Sequence, residues 1–199
     1  MEDTRKILPK NTTVPTLQGK YKVPHFDSRA DADFYFADLP TTYLVKSFYY
    51  ENFIESPSMG PKKSPDGKIY LELPMDNKKM PMISSVDLGK CALAMFKNPS
   101  EYIHKRIGLV GCHLTMDEVA KKMSKAMGVE IGYKAISCDS YRKLDLPGAD
   151  DIGNMFQFIQ DCNDDFNKNR NIEECRRLYK DLMDFDMWLE KNSNKISVH

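Results

Sequence analysis

The chain has 199 residues, a length that suits one domain, or one domain with a small appendage, and allows a sizeable hydrophobic core. Hydrophobic residues make up 41% and charged residues 29%, and the 29 basic side chains balance the 29 acidic ones. This neutral total argues against a general nucleic-acid or membrane-surface binder, because such a protein needs a basic excess.

The five cysteines are scattered without C-x-x-C spacing, and this pattern favours a reducing compartment over a disulfide framework. Cys112 and His113 are adjacent but lack a second ligand pair, so no metal site is expected. The N-terminal sequence MEDTRKILPKNTTVPT lacks the apolar segment of a signal peptide, and no apolar run is long enough to span a bilayer. We therefore expect a soluble cytoplasmic protein, with the nucleus as an alternative location and without direct contact to nucleic acid or membrane.

The first elements are predicted before residue 40. Residues 1–19 are polar and proline-containing, which indicates a loop or tail. Tyr21–Val23 is typical of a short strand or the end of one. Asp27 or Ser28 is a good N-cap, and the helix that it begins is expected to run to about Asp38.

A strand is predicted next, at Thr41–Phe48, because this segment is rich in β-branched and aromatic residues. Helix, tight turn and strand in this order match half of a βαβ unit in a parallel sheet. Ser56–Gly67 is expected to be a loop with a strong turn signal at its end. Lys68–Leu73 alternates in the manner of a strand.

Caps and periodicity define the later elements. Helices are expected after Ser84 or Ser85 and after Thr115, and Gly128 fits the position that follows the second of them. Further elements are predicted at Arg106–Val110, Gly132–Ile136, Ser140–Leu144, Asp150–Asp161 and Ile172–Leu182, and after Asp184. Helices thus become denser toward the C-terminus of a mixed α/β chain.

Two other patterns have weak functional interpretations. The adjacent acids at Asp164–Asp165 and Glu173–Glu174 could pair for catalysis, but such acids usually face solvent. Three methionines, Met75, Met80 and Met82, surround a predicted loop. They could line a binding surface, but the pattern favours an irregular part of the core.

Several strings, taken in order, resemble the NmrA-like family of atypical short-chain dehydrogenase/reductase relatives that bind NADP(H). They are HFDSRADADFYF, SFYYENFIE, PDGK, SVDLGK, GADDIGNMFQF and WLEK. The resemblance is strongest over residues 20–190, and it implies one domain at 20–199 after an N-terminal tail. It also implies an α/β fold, with part of a Rossmann-like parallel sheet and a small, mostly helical C-terminal lobe.

The family's glycine-rich loop, which brings the dinucleotide pyrophosphate to a helix N-terminus, has no match in this sequence. The nearest string is Gly108–Gly111, and Leu114 stands where a third glycine is needed. The chain therefore resembles the later part of the family fold, and impaired cofactor binding is expected.

His25 and Arg29 occupy the position of the Tyr-x-x-x-Lys pair of active reductases. That motif is absent, and Tyr102 and Arg106 come closest to it in a different context. A histidine moves protons near neutral pH, whereas an arginine binds phosphate or ribose but is neither acid nor base. The resemblance favours a vestigial cofactor contact here, and the alternative is that both residues only form the entry to a helix.

The turn at Tyr49, Tyr50, Glu51 and Asn52 follows a predicted parallel strand, and open α/β sheets bind ligands at that edge. In the family this turn passes beside the nicotinamide. The resemblance therefore makes these four residues, with His25 and Arg29, the predicted cofactor contacts. Without it, aromatic residues after a strand more often belong to the core.

The resemblance implies an NADP(H)-linked, redox-sensing regulator that acts through protein contacts or self-association and is not catalytic. Two alternatives stay open: an NAD(P)H-dependent reductase of the quinone type, and an interaction module without cofactor. If the central strands of the sheet are missing, Thr41–Phe48 has an unpaired edge, and Leu44 and Val45 meet water. Self-association, a partner chain or residues 1–20 would then cover this edge.

Overall fold

A computed structural model describes residues 2–199. The helices are α1 (Thr4–Ile7), α2 (Pro24–Asp33), α3 (Asn52–Glu55), α4 (Ser85–Lys97), α5 (Pro99–Tyr102), α6 (Met116–Met127), α7 (Cys138–Arg142), α8 (Ala149–Asp161), α9 (Asn163–Lys168), α10 (Ile172–Leu178) and α11 (Phe185–Asn192). The strands are β1 (Tyr43–Val45), β2 (Phe48–Tyr49), β3 (Lys62–Lys63), β4 (Ile69–Leu73), β5 (Met80–Ile83), β6 (Arg106–Gly108), β7 (Cys112–Leu114) and β8 (Ile131–Ala135).

The strands pair in three small groups. β1 pairs with β6 in parallel. β5 lies between β2, which is parallel to it, and β7, which is antiparallel. β4 lies between antiparallel β3 and parallel β8. The predicted fold class, an α/β chain with parallel strands and a mostly helical C-terminal part, is confirmed.

Helix α2 begins three residues before the predicted cap. Pro24 is its first residue, where a missing N–H has no cost and the fixed φ suits a helix. The carboxylate of Asp27 reaches back and accepts hydrogen bonds from the backbone nitrogens of Lys22 (2.8 Å) and Val23 (3.1 Å). Asp27 therefore supports the helix start from inside the helix, and the prediction that it or Ser28 is the N-cap was wrong.

The single strand predicted at Thr41–Phe48 is divided into β1 and β2, which belong to different sheets. Ser47 lies at the division, and its hydroxyl donates to the carbonyl of Leu109 over 2.6 Å. This buried side-chain bond takes the place of a ladder hydrogen bond, so the chain leaves one sheet and enters the next.

Strand β5 was not predicted, because Pro81 interrupts its pattern and proline lowers the expectation of a strand. Met80 and Met82 lie on it, fully buried together with Met75. These three methionines therefore pack in the core and line no binding surface. The short strand β7 was also missed.

The capping signals were the most reliable ones. Ser84 caps α4, and Thr115 forms a full capping box with Glu118 at the start of α6. Gly128 ends α6 with φ of 70°, a left-handed conformation that favours glycine. Asp184 caps α11 by accepting from the backbone nitrogen of Met187.

Residues 2–19 pack against the domain, although their sequence indicated a tail. Val14 is buried, and Thr4 is fully buried against α2. The Thr4 backbone nitrogen and hydroxyl both donate to Asp27, over 2.8 Å and 2.7 Å. Asp27, with no exposed surface, therefore accepts four hydrogen bonds and ties this segment to α2.

Strand β1 has only β6 as a ladder neighbour within residues 2–199. The prediction that its apolar residues meet water was nevertheless wrong. Val45 is buried, and Leu44 is half-buried against a core cluster. The N-terminal residues Glu2 and Ile7 face Val45 across a cavity of about 560 Å³, which agrees with partial coverage by the N-terminal segment.

Within residues 2–199, no helix is both long enough and apolar enough to cross a membrane. All five cysteines are free thiols, as the spacing predicted. Burial raises the pKa of Cys91 and of Cys112 to about 12, so these thiols stay protonated at neutral pH.

We predict that Asp27→Ala lowers the free energy of unfolding by about 2–4 kcal/mol, because buried backbone donors lose their acceptor. Asp38→Ala, at an exposed position of the same segment, is the matched control and should change it by less than about 0.5 kcal/mol. Urea denaturation of both variants measures the difference. Equal stability of the two would contradict the assigned role of Asp27.

Candidate functional site

A cavity of about 310 Å³ lies between α2, the segment Lys46–Tyr49, α3, α8 and α9. Its polar lining comes from His25, Lys46, Ser47, Tyr49 and Asn52. Lys46 directly follows β1, and Tyr49 ends β2, so the polar groups gather at the carboxyl ends of parallel strands. Open α/β sheets bind ligands at such edges.

His25 is held at this cavity by Asp151, which lies in the first turn of α8. Its Nδ1 is 2.8 Å from Asp151 Oδ1, and its backbone nitrogen donates to Asp151 Oδ2 over 3.2 Å. Both side chains are mostly buried. A carboxylate only accepts, so Nδ1 carries the hydrogen and Nε2 is the nitrogen left for a ligand. The sequence indicated His25 but gave no signal for Asp151.

Lys46 is a second residue that the sequence analysis missed. It is half-buried, and its Nζ lies 4.8 Å from the ring centre of Tyr49, at cation–π distance. Within residues 2–199 no carboxylate oxygen lies within 4.0 Å of this ammonium group, although most other buried or half-buried cations have one. Burial lowers the pKa of Lys46, and the charge of Arg29 lowers it further. An alternation of apolar and polar residues in a strand does not reveal such a position.

Arg29 lies one helical turn after His25 and is exposed. It does not line the cavity, but its charge acts on Lys46 and Tyr49, so it lies near these two residues. We call Arg29, Lys46 and Tyr49 the rim of the cavity. Burial raises the pKa of Tyr49, against the opposite effect of Arg29. The rim therefore combines an exposed cation with a half-buried one.

Of the predicted turn, only Tyr49 and Asn52 reach the cavity. Tyr50 is fully buried on the other side, and its hydroxyl contacts Cys112 Sγ (3.3 Å) and the Met183 carbonyl (3.4 Å). Burial raises its pKa far above the usual range. Tyr50 therefore belongs to the structural framework, contrary to its prediction as a ligand contact.

Glu51 is likewise directed away from the cavity. Its carboxylate accepts from Ser84 Oγ (2.9 Å), the Ser85 backbone nitrogen (2.9 Å) and Trp188 Nε1 (3.1 Å). These bonds join the start of α4 to α11. The carboxylate is thus occupied by structural partners, and a cofactor contact at Glu51 stays a prediction.

The glycines nearest to a phosphate-binding string serve packing. A Cβ on Gly111 would lie 2.6 Å from the Tyr50 hydroxyl and 2.7 Å from the Met183 carbonyl, and a Cβ on Gly108 would overlap the Asn169 carbonyl. Close approach of neighbouring protein groups therefore requires both glycines. The structure gives them no role in phosphate binding.

The acidic pairs form no site. Asp164–Asp165 and Glu173–Glu174 lie in the first turns of α9 and α10, where carboxylates suit the helix dipole. Within the described residues, no group of three or more histidine, cysteine or acidic side chains could hold a metal ion.

We predict that Lys46 loses its proton at lower pH than the exposed Lys121, whose pKa is raised by Asp117. NMR titration of ¹³C-dimethylated lysines measures both midpoints. Arg29→Gln should move the Lys46 midpoint upward, because a neighbouring positive charge is removed, and should leave Lys121 unchanged. A Lys46 midpoint equal to that of exposed lysines would contradict its burial.

Comparison with known proteins identifies the fold. A sequence model of the NmrA-like family matches residues 9–189. A mutant form of NmrA is 19% identical, with 96% of this chain and 62% of that chain covered, at a TM-score of 0.69. NmrA in complex with NADP, a negative transcriptional regulator, is 20% identical, with 96% and 61% covered, at 0.61. An NADPH-dependent quinone oxidoreductase from Escherichia coli is 14% identical, with 83% and 60% covered, at 0.63.

The chain thus spans 60–62% of the length of these solved structures. The family match extends over most of the sequence and includes the cavity and every element around it. The chain belongs to the NmrA-like family.

Proposed function

We propose that the chain is an NADP(H)-linked, redox-sensing regulator that acts through protein contacts and is not a catalyst. The observation that carries this proposal is the convergence of His25, Lys46, Tyr49 and Asn52 in one cavity at the carboxyl ends of parallel strands. The family membership and the NADP complex of NmrA support NADP(H) as the ligand.

The residues around the cavity fit the nicotinamide end of a dinucleotide chemically. Tyr49 offers an aromatic surface, and Asn52 offers amide donors and an acceptor that suit a carboxamide. Arg29 and Lys46 supply positive charge for phosphate groups. When bound, NADPH would act as a hydride donor, and NADP⁺ is the oxidised form of the same cofactor.

A non-catalytic role is supported by the nature of these side chains. Burial and hydrogen bonds keep the hydroxyl of Tyr50 in the core, and no Tyr-x-x-x-Lys pair occurs in the sequence. With no glycine-rich loop in these residues, affinity would depend on the rim cations and the turn. The alternative, a quinone-type reductase, would use His25 to transfer protons.

We predict that Arg29→Ala weakens NADP(H) binding by about 1–3 kcal/mol, the range for a lost charge-assisted hydrogen bond. Isothermal titration of the full chain measures this change. Arg177→Ala, an exposed arginine on α10 outside the cavity lining, is the control and should bind as the parent does. Equal loss of NADP(H) affinity in both variants would show that Arg29 is an ordinary surface residue.

The same samples separate the regulator from the reductase. NADPH absorbance should stay constant when quinones are added, because the sequence holds no Tyr-x-x-x-Lys motif. Steady NADPH oxidation that His25→Ala abolishes would establish the reductase alternative instead.

Contact with a second copy of the chain is the first protein interaction that we propose. Phe34 and Tyr35 are 80% and 79% exposed just after α2, and Phe36 and Leu39 are about half exposed beside them. Contiguous exposed apolar residues are typical of interaction surfaces. These side chains form an exposed apolar surface that directly follows α2.

We predict concentration-dependent dimerisation that the double variant Phe34→Ser, Tyr35→Ser weakens by at least about tenfold, through the loss of buried aromatic area. Sedimentation velocity over a dilution series measures it. Phe96→Ser is the matched control, since Phe96 is 83% exposed on α4. A parent chain that stays monomeric, or a loss only in the control, would contradict this assignment.

A further inference from the structure

The imidazole of His25 is held in place by the carboxylate of Asp151 and by a neighbouring aromatic ring. Asp151 accepts from Nδ1 and from the backbone nitrogen of the same residue, over 2.8 Å and 3.2 Å. The ring also meets Phe26 edge to face, with 4.7 Å between ring centres. Nε2 has no protein partner within the described residues, and His25 lines the cavity. A ring held in this way presents a single defined nitrogen to a ligand.

The ammonium group of Lys46, on the cavity wall, has no carboxylate counter-ion within residues 2–199. Lys46 contributes an ammonium group that no carboxylate approaches within 4.0 Å in residues 2–199, and the Tyr49 ring covers it only as a cation–π neighbour. A half-buried charge without a counter-ion is costly, so an anion in the cavity would relieve this cost. Arg29 at the rim adds a second positive charge.

Behind these polar groups the wall is apolar. It is formed by Phe26, Phe48, Ile152, Met155 and Ile159, and about 310 Å³ of space lies between them and the rim. Cavities of this size, apolar with a few convergent polar groups, are suited to small organic molecules. One or two fused rings would fill the apolar part.

We propose that this cavity binds a small aromatic carboxylate, with the carboxylate group at Lys46 Nζ and at the protonated Nε2 of His25, and that Asp151 is the positioning residue for His25. The inference goes beyond the proposed dinucleotide binding and does not depend on it. An aromatic acid satisfies both features at once, since its ring removes apolar surface from water and its anion pairs with the ammonium group.

The arrangement makes binding proton-linked. Asp151 keeps a hydrogen on Nδ1, so a proton gained by the ring goes to Nε2, which then donates to the carboxylate. The charged or titratable groups around His25 are Asp151 from α8, Lys46 and Tyr49 from the β1–β2 segment, and Arg29 on its own helix. The protonated ring should therefore bind a carboxylate more tightly than the neutral ring, because only the protonated ring has a donor at Nε2.

The test uses the full chain with 2-naphthoate and its uncharged isostere 2-naphthamide, measured by isothermal titration. We expect naphthoate to bind at least about tenfold tighter than naphthamide, and tighter at about pH 6 than at about pH 8. Lys46→Met keeps most of the apolar stem and should reduce the preference for naphthoate over naphthamide. Equal affinities of the two probes in the parent chain would overturn the proposal.

Asp151→Asn tests the positioning role against Asp150→Asn, a change at the adjacent exposed acid of the same helix turn. Positioning predicts that only Asp151→Asn loses affinity at the lower pH and flattens the pH profile. If Asp151 merely repelled the anion, its removal would strengthen binding, and that result would overturn its assigned role.

His25→Gln is the second variant, which keeps an amide donor but cannot titrate. It should bind naphthoate with one affinity at both pH values, and a pH profile like that of the parent chain would overturn the role of His25. NADPH binding is measured on the same protein. Failure of naphthoate with intact NADPH binding refutes this inference alone, and the reverse result refutes the dinucleotide proposal alone.

Discussion

The position of α2 depends on hydrogen bonds from α8, a helix more than 120 residues later in the chain. Asn154, fully buried, donates to the carbonyl groups of Pro15 (2.9 Å) and Lys22 (2.5 Å), just before α2 begins. Asp151, one turn earlier on α8, accepts from His25. The His25 backbone N–H is one of the donors that a helix start leaves unpaired, and Asp151 accepts from it, so the entry to α2 has a partner on another element.

The same helix also forms the apolar wall of the cavity. Asp151 and Asn154 share one face of α8 through their i, i+3 spacing, while Ile152, Met155 and Ile159 share the adjacent face. One face therefore orients the histidine and the other shapes the space in front of it. Because both faces belong to one helix, that helix sets the position of His25 relative to the apolar wall.

The sequence predicted best those features that depend on neighbours in the chain. The starts of α4 and α6 and the end of α6 follow from caps at Ser84, Thr115 and Gly128, where the interaction spans only a few residues. The start of α2 was missed because a proline and a backward-reaching carboxylate replaced the usual cap. The strand break at Ser47 was missed because its partner, Leu109, lies 62 residues later.

The site shows the same limit more sharply. Resemblance located His25, Tyr49 and Asn52, but the partner of His25 is 126 residues away and the exposed or buried state of Lys46 depends on the tertiary fold. Neighbouring side chains of the turn have different surroundings. Tyr49 lines the cavity, whereas Tyr50 packs in the core and the carboxylate of Glu51 bonds the start of α4. Only the tertiary contacts of each side chain determine this difference.

The two cations near the cavity lie in different dielectric surroundings, and this difference separates their roles. Arg29 is exposed, so salt screens its attraction to an anion within about 10 Å at moderate ionic strength. Lys46 is half-buried under the Tyr49 ring, where screening is weaker and a direct partner matters more. Arg29 therefore adds a weaker, salt-dependent attraction, whereas Lys46 would hold an anion that enters the cavity. Since the Arg29 charge also lowers the pKa of Lys46, an anion that pairs with either cation favours the charged form of the lysine, so the two positions are coupled through one electrostatic field.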